Sequence, residues 1–225
     1  MLSSPHTSRT FVSGSELAEA LAQEVGALLH DRIQTAGHAS IAVSGGRTPA
    51  LFLSTLFGRD LDWKQVRLTL ADDRCVPHQH ERSNMGLIRR AIEGTPAAAA
   101  TLIPLTEEGS GNARLDLDLP PLDVLVLGMG TDGHTASLFP GGDQLSSALA
   151  ADGPKILSIE APGAAEPRVT LSLSALLSAR HRFLHIEGTA KAETLRRALQ
   201  DGAIEEMPIR AVLRRALNLF YAPLS

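Results

Sequence analysis

The 225-residue sequence predicts an α/β fold, a doubly wound, mostly parallel sheet with helices on both faces. Two observations point there. Short runs such as Ser40–Ser44 (SIAVS) and Asp123–Leu127 (DVLVL) are mostly apolar, as strands buried on both faces are, and Val66–Leu70 (VRLTL) is a further strand candidate. Between such runs lie segments whose apolar residues return at helical spacing.

Taken in order, Thr10–Val12 is a short strand candidate. Ser13-Gly-Ser-Glu16 has capping-box spacing, and Leu17, Leu21, Val25, Leu28 and Leu29 continue it as a helix ending near Gly37. The Ser40–Ser44 strand runs into Gly45-Gly46-Arg47-Thr48-Pro49. Thr48 is expected as the cap and Pro49 as the first turn of a helix carrying Leu51, Phe52 and Leu56. Val66–Leu70 is a strand, and the Asp72-Asp73-Arg74 that follows reads as a solvated turn. Ser83–Ile92 is a helix, and Ala97–Ala100 is a connector between prolines. In Arg114–Leu119, leucines alternate with charged residues.

Asp123–Leu127 is the most apolar strand, followed directly by Gly128-Met-Gly-Thr-Asp-Gly-His134. Lys155–Glu160 and Arg182–Glu187 are expected as strands, and Arg168 precedes another apolar strand, VTLSL. Ser174–Ala179 and Thr189–Gln200 are expected as helices, the second capped by Thr189 and stopped by Gly202. Leu217–Tyr221 closes the sheet. With no internal repeat and no long linker, residues 1–225 read as a single domain.

Composition narrows the partners. The formal charge is −4 with both signs mixed along the chain, so no basic tract offers a nucleic-acid footprint. Aromatic residues at 4% make base-stacking platforms scarce. Cys75 is the single cysteine, which excludes an internal disulfide and suits a reducing compartment. The first residues, MLSSPHTSRTF, do not read as a signal peptide, and no run approaches the roughly 18 apolar residues of a membrane span. A cytoplasmic protein that binds neither nucleic acid nor membrane is expected.

In an open α/β sheet, ligands bind beyond the carboxyl ends of the strands, and three strands here end in SGGRTP, ADDR and GMGTDGH. Gly45, Gly46, Arg47 and Thr48 join glycines to a helix start, which favours an anion such as phosphate. The Lys-Ser/Thr pair of a Walker A loop is missing. Gly128-x-Gly130-x-x-Gly133 imitates a dinucleotide fingerprint, but it lies past the middle of the chain. His134, Thr135 and Ser137 follow it, and Pro140-Gly141-Gly142 stops any helix early, so the nicotinamide reading is rejected.

His134 suits water activation because imidazole titrates near neutral pH, and Asp132, two residues away, can fix its tautomer. Beside the solvated-turn reading, Asp72 is a second catalytic candidate, a carboxylate that could orient water, and Arg74 a fixed cation that could hold an anionic substrate. Lys191 in the first turn of its helix works against the helix dipole, which hints at an anion nearby. His78 and His80 resemble a metal pair, but no cysteine or third spaced histidine follows, and no metal is expected.

These residues fall in recognisable segments: SGGRTP (44–49), DDRCVP (72–77), SNMGL (83–87), GMGTDGHTASLFPG (128–141), RVTLSLSALLSAR (168–180) and the stretch around Lys191. Together they resemble the 6-phosphogluconolactonases of the glucosamine-6-phosphate isomerase/6-phosphogluconolactonase family. The resemblance implies a Rossmann-like fold of the sugar-phosphate isomerase type. It implies hydrolysis of 6-phospho-D-glucono-1,5-lactone, the second step of the oxidative pentose phosphate pathway, with no cofactor. The partner would be that small phosphorylated sugar lactone, and the protein a monomer or small homo-oligomer.

Carried onto matching positions, His134 is the general base, while Asp72 and Arg74 line the substrate site. The Gly45–Thr48 turn, Arg168 and Lys191 hold the phosphate. The chain departs from the family pattern at Asp73, where Glu is usual, at Met85, often Tyr, and at Arg47, commonly Ser. Two other readings are weaker. An isomerising deaminase carries Glu where Phe139 stands, and a sugar-phosphate sensor would need a DNA-binding module for which no segment is spare.

Overall fold

The computed structural model describes residues 6–46 and 48–223. In chain order the elements are β1 (His6–Thr10), α1 (Gly14–Ala36), β2 (Ala39–Val43), α2 (Ala50–Phe57), β3 (Val66–Leu70), β4 (Asp72–Arg74), α3 (Asn84–Ile92) and β5 (Thr101–Ile103). There follow β6 (Val124–Leu127), α4 (Leu145–Leu149), β7 (Ile156–Ile159), β8 (Arg168–Leu171), α5 (Leu173–Leu177), β9 (His181–Glu187), α6 (Thr189–Ala198), α7 (Ile209–Leu213) and β10 (Leu217–Ala222).

A seven-stranded sheet in the order β1-β10-β9-β6-β2-β3-β5 has every neighbouring pair parallel. Its central strands β2 and β6 are buried along their whole length, which is why their sequences are unbroken apolar runs. The winding goes from β2 outward to β3 and β5, then returns to β6 on the other side of β2. That reversal is the position where open α/β sheets form a ligand crevice.

At Ala71 the chain leaves this sheet for a second, antiparallel one, β4-β8-β7. The Ala71 N–H still donates to Val43 (2.9 Å), while its carbonyl accepts from Leu171 (2.9 Å). The expected solvated turn at 72–74 is therefore a buried strand, because β8 offers Arg74, Asp73 and Asp72 a ladder partner.

Helix α1 starts and stops where its sequence predicts. The Ser13 hydroxyl accepts from the Glu16 N–H at 3.2 Å, and Gly37 closes the helix at φ +76°. Leu17, Leu21, Val25 and Leu29 face the core, where Trp63 meets Phe57 edge-on at 5.9 Å.

Some expectations need correction. The first strand is His6–Thr10 rather than Thr10–Val12, because its register is set by pairing along β10. Helix α2 begins at Ala50 behind Pro49 with no side-chain cap, and Leu51 is 48% exposed rather than packed. Helix α6 is led by Gly188 at φ +88°, with Thr189 already inside it, and it ends at Ala198 before reaching Gly202. Strand β5 and the short helices α4 and α7 had no periodic signal, being only three to five residues long.

The end of the sheet away from the crevice is clamped by Asp123, a buried carboxylate at the head of β6. One oxygen accepts from the Ser40 N–H (2.9 Å), and the other from Arg32 Nε (2.8 Å) and Arg180 Nε (3.3 Å). Removing it leaves a part-buried guanidinium and a buried N–H unpaired. Asp123→Ala is therefore expected to cost about 3 kcal/mol in urea denaturation. A loss below about 1 kcal/mol would show that water replaces the carboxylate.

Candidate active site

The loops leaving β2 and β6, strands β4 and β8, and the first turns of α3 and α6 enclose a cleft of about 480 Å³. Gly45, Gly46, Thr48, Asp72, Arg74, Asp132, His134, Arg168 and Lys191 all line it. Arg47 lies outside the described residues. A larger hollow of about 690 Å³ opens at the other end of the strands, between Arg67, Pro120, Lys155 and Ser174, and holds no histidine.

Gly128–His134 forms a closed turn rather than a cofactor cradle. The Gly130 N–H donates to the His134 carbonyl (2.9 Å), and the Gly133 N–H donates to the Gly130 carbonyl (3.0 Å). A Cβ on Gly130 would sit 2.2 Å from the His134 imidazole and 2.6 Å from Asp132 Oδ1. The glycine is required by the side chains folded over it.

His134 Nδ1 lies 2.6 Å from Asp132 Oδ1, and the His134 backbone N–H donates to the same oxygen at 3.1 Å. The hydrogen bond to His134 holds the Asp132 carboxyl below the usual carboxylate range. An ionised carboxylate only accepts, so Nδ1 carries a proton, and in the neutral ring the lone pair is on Nε2. Phe139 packs on the imidazole with ring centroids 4.2 Å apart. From sequence, Phe139 marked only the position where an isomerising deaminase carries Glu; its contact with the imidazole was not foreseen.

Ala136 takes φ +47°, a left-handed conformation unfavourable for a residue with a Cβ. The turn it makes carries Ser137 to the second sheet. There the Ser137 N–H donates to Thr170 Oγ1 (3.2 Å) and its hydroxyl to Asp72 Oδ2 (2.6 Å). The strain thus ties the histidine loop to the Asp72 strand.

Opposite this loop the cleft is strongly cationic. Arg74 on β4 and Arg168 on β8 are directly paired across the antiparallel ladder. Like charges so placed repel unless an anion comes between them. Arg168 is only 9% exposed, and its Nε has no partner among the described residues; the Arg74 Nε is likewise buried and unpartnered. Burial, then the nearby Arg74, push the Arg168 guanidinium down from its ordinary value. At the α6 end, half-buried Lys191 donates to Thr48 Oγ1 at 2.8 Å, and burial pushes its ammonium down as well.

Asn84 was not singled out from sequence, yet it knits the site together. Its Nδ2 donates to the Asp72 carbonyl (3.1 Å), and its Oδ1 accepts from Arg74 Nη1 (3.0 Å). A Cβ on Gly45 would lie 2.2 Å from it. Gly45, read as letting the backbone approach a ligand, lines the cleft and also makes room for Asn84. Behind Asn84, Asp73 is fully buried and accepts from the N–H groups of Asn84 (2.7 Å), Arg74 (2.8 Å) and Met85 (3.0 Å). His78 and His80 do not converge. His78 Nε2 pairs with Thr106 Oγ1 (3.0 Å), and His80 Nδ1 accepts from the Arg82 N–H (3.1 Å).

Residues 13–221 match a family described as glucosamine-6-phosphate isomerases/6-phosphogluconolactonase. A 6-phosphogluconolactonase of Rhizobium meliloti is 47% identical over 225 residues, covering 95% of this chain and 97% of that protein. One from Pseudomonas aeruginosa is 41% identical over 220 residues, covering 94% and 92%. Among solved structures, a 6-phosphogluconolactonase from Shewanella baltica superposes with a TM-score of 0.89 at 33% identity, covering 98% of each chain.

Burial raises the Asp73 carboxyl from 3.8 to about 6, outweighing the backbone N–H groups that favour its charge. Its carboxyl carbon, followed by NMR, is expected to titrate near that value. The folded chain then holds this proton more tightly than the unfolded chain does. Asp73 therefore opposes folding above pH 6, and that opposition fades as pH falls from 6 towards 4. A titration midpoint at or below 3.8 would show that the N–H groups outweigh burial instead.

Proposed function

The chain belongs to the glucosamine-6-phosphate isomerase/6-phosphogluconolactonase family, and on that premise we propose that His134 performs the hydrolysis of 6-phospho-D-glucono-1,5-lactone as its general base. Lactone hydrolysis is the activity for which its relatives at 41–47% identity are named. The observation that carries the residue assignment is the His134–Asp132 pair at 2.6 Å, facing the same cleft as Arg74, Arg168 and Lys191.

The chemistry follows from these positions. His134 Nε2 takes a proton from a water as its oxygen attacks the lactone carbonyl. Asp132 holds the ring in the tautomer that allows this and stabilises the imidazolium that forms. When the tetrahedral intermediate collapses, the bond to the ring oxygen breaks, and the imidazolium returns the proton to that oxygen. The 6-phosphate goes to Arg168, Lys191, Thr48 and the Gly45–Gly46 backbone. Arg168 is suited to this because its guanidinium is already desolvated and unpartnered at Nε. Arg74 and Asp72 face the sugar. Ser137 occupies one Asp72 carboxylate oxygen and leaves the other for a hydroxyl.

The family also contains isomerases, whose reaction moves protons between neighbouring sugar carbons and needs a further proton-handling carboxylate. Where those relatives carry Glu, this chain has Phe139, packed at a 35° tilt against the His134 imidazole. That contact favours a single-base hydrolysis.

The test is a coupled assay in which a dehydrogenase generates the lactone from glucose 6-phosphate, with the spontaneous rate subtracted. His134→Gln is expected to fold normally and lose about 10²–10⁴-fold in kcat. Lys191→Ala is expected to raise KM with kcat nearly unchanged. Glucosamine 6-phosphate should not be turned over. A folded His134→Gln protein with full turnover would remove His134 from its role, and unchanged KM in Lys191→Ala would remove the phosphate assignment.

A further inference from the structure

We infer that Asp73 is a positioning residue for this reaction, fixing Arg74 and Asn84 in the cleft through the backbone N–H groups it accepts. The inference rests on the reading above in one respect, that Arg74 faces the substrate.

Asp73 itself does not line the cleft, and both its oxygens are used inside the protein. Oδ1 accepts from Arg74 and Asn84, and Oδ2 from Met85. Asn84 and Met85 open α3, where N–H groups have no partner within the helix. Helix starts are ordinarily capped by a neighbour in sequence, and Ser83 does that here by accepting from the Gly86 N–H at 3.0 Å. Asp73 adds a second cap from a different element, eleven residues upstream.

The outcome is a closed arrangement. The carboxylate joins β4 to the first turn of α3, Arg74 Nη1 bonds Asn84 Oδ1, and Asn84 Nδ2 bonds the Asp72 carbonyl. Arg74 Nη1 is also held by the Arg82 carbonyl at 2.7 Å. The direction from which Arg74 enters the cleft is thereby set by its own backbone N–H and by Asn84, and both are anchored on Asp73. A fully buried carboxylate is an expensive way to hold a helix that already has a serine cap. Its distinctive product is the relative placement of two side chains that line the cleft.

The experiment compares Asp73→Asn, Arg74→Ala and the double variant by steady-state kinetics with the lactone, folding being checked by circular dichroism. Asp73→Asn keeps the shape but replaces an acceptor oxygen by an amide, and is expected to raise KM about tenfold with kcat within about threefold. Because the effect passes through Arg74 and Asn84, adding Asp73→Asn to Arg74→Ala should raise KM by less than about twofold. Asp73→Glu retains a carboxylate for the same N–H groups and is expected to keep KM within about threefold of the unsubstituted chain.

Fully additive effects, or a fall in kcat at unchanged KM, overturn the proposal. So does a folded Asp73→Glu protein whose KM is as high as that of Asp73→Asn. If Asp73→Asn does not fold, Asn84→Ala replaces it as the reference, and Asp73→Glu with an equally raised KM overturns the proposal. An unchanged KM in Arg74→Ala removes Arg74 from the substrate and the proposal with it. His134→Gln at full turnover would overturn the base assignment alone.

Discussion

The reversal of winding between β2 and β6 is the constraint on which the rest of the molecule depends. Parallel strands send all their carboxyl ends to one edge, and each crossover must leave that edge to return. Where successive crossovers depart in opposite directions, no connection covers the gap. The chain fills the walls of that gap with its least regular segments: Gly45, Gly46, Thr48 and Pro49 after β2, the Gly128–Phe139 loop and the strand that peels away at Ala71.

Within the gap, charge is segregated by depth. His134 and Asp132 keep side-chain exposures of 30% and 51%, so water can reach the imidazole. Arg168, at 9%, sits where hydration is poor and an anion gains most from meeting it. Phe139 lies between these regimes, against the imidazole at 4.2 Å and with the Arg168 guanidinium 5.7 Å from its ring centroid. A single aromatic side chain therefore contacts both the group assigned to the chemistry and one assigned to the phosphate. A substrate that spans the cleft has its reacting carbonyl placed by its remote phosphate, so that binding contributes orientation.

Much of this was legible in the sequence. Strands β2, β3, β6, β9 and β10 are apolar or pattern-rich, and helix α1 carries both its caps, so their existence follows from local rules. Gly45, Gly46, Asp132 and His134 could be placed at the cleft because they follow directly on the ends of β2 and β6, where the topology leaves them little freedom. What escaped was everything decided by a partner far along the chain. Asp72-Asp73-Arg74 reads as a solvated turn until β8, almost one hundred residues later, pairs with it. Thr48 reads as a cap, but its hydroxyl accepts from Lys191, 143 positions away. Asn84 reads as one polar residue at a helix start, and its value lies in Asp72, Arg74 and Gly45 around it.

Three places where local rules fail fall together. Ala136 in a left-handed turn, two arginines paired across a ladder, and a carboxylate buried behind a capped helix are each unfavourable alone. All three lie on the histidine loop, the second sheet or their junction, and none is in the seven-stranded sheet. The large sheet carries most of the apolar core, with β2 and β6 buried throughout and Trp63, Phe52, Phe57, Phe183 and Phe220 fully enclosed, and its one buried imidazole, His185 on β9, is paired with Glu187 at 2.7 Å. It can therefore tolerate a small sheet whose residues are chosen for the cleft instead of for stability. Antiparallel pairing suits that task. It sets Asp72 opposite Thr170 and Arg74 opposite Arg168 on two short strands, and Ser137 can then lock the histidine loop to both strands through Asp72 and Thr170.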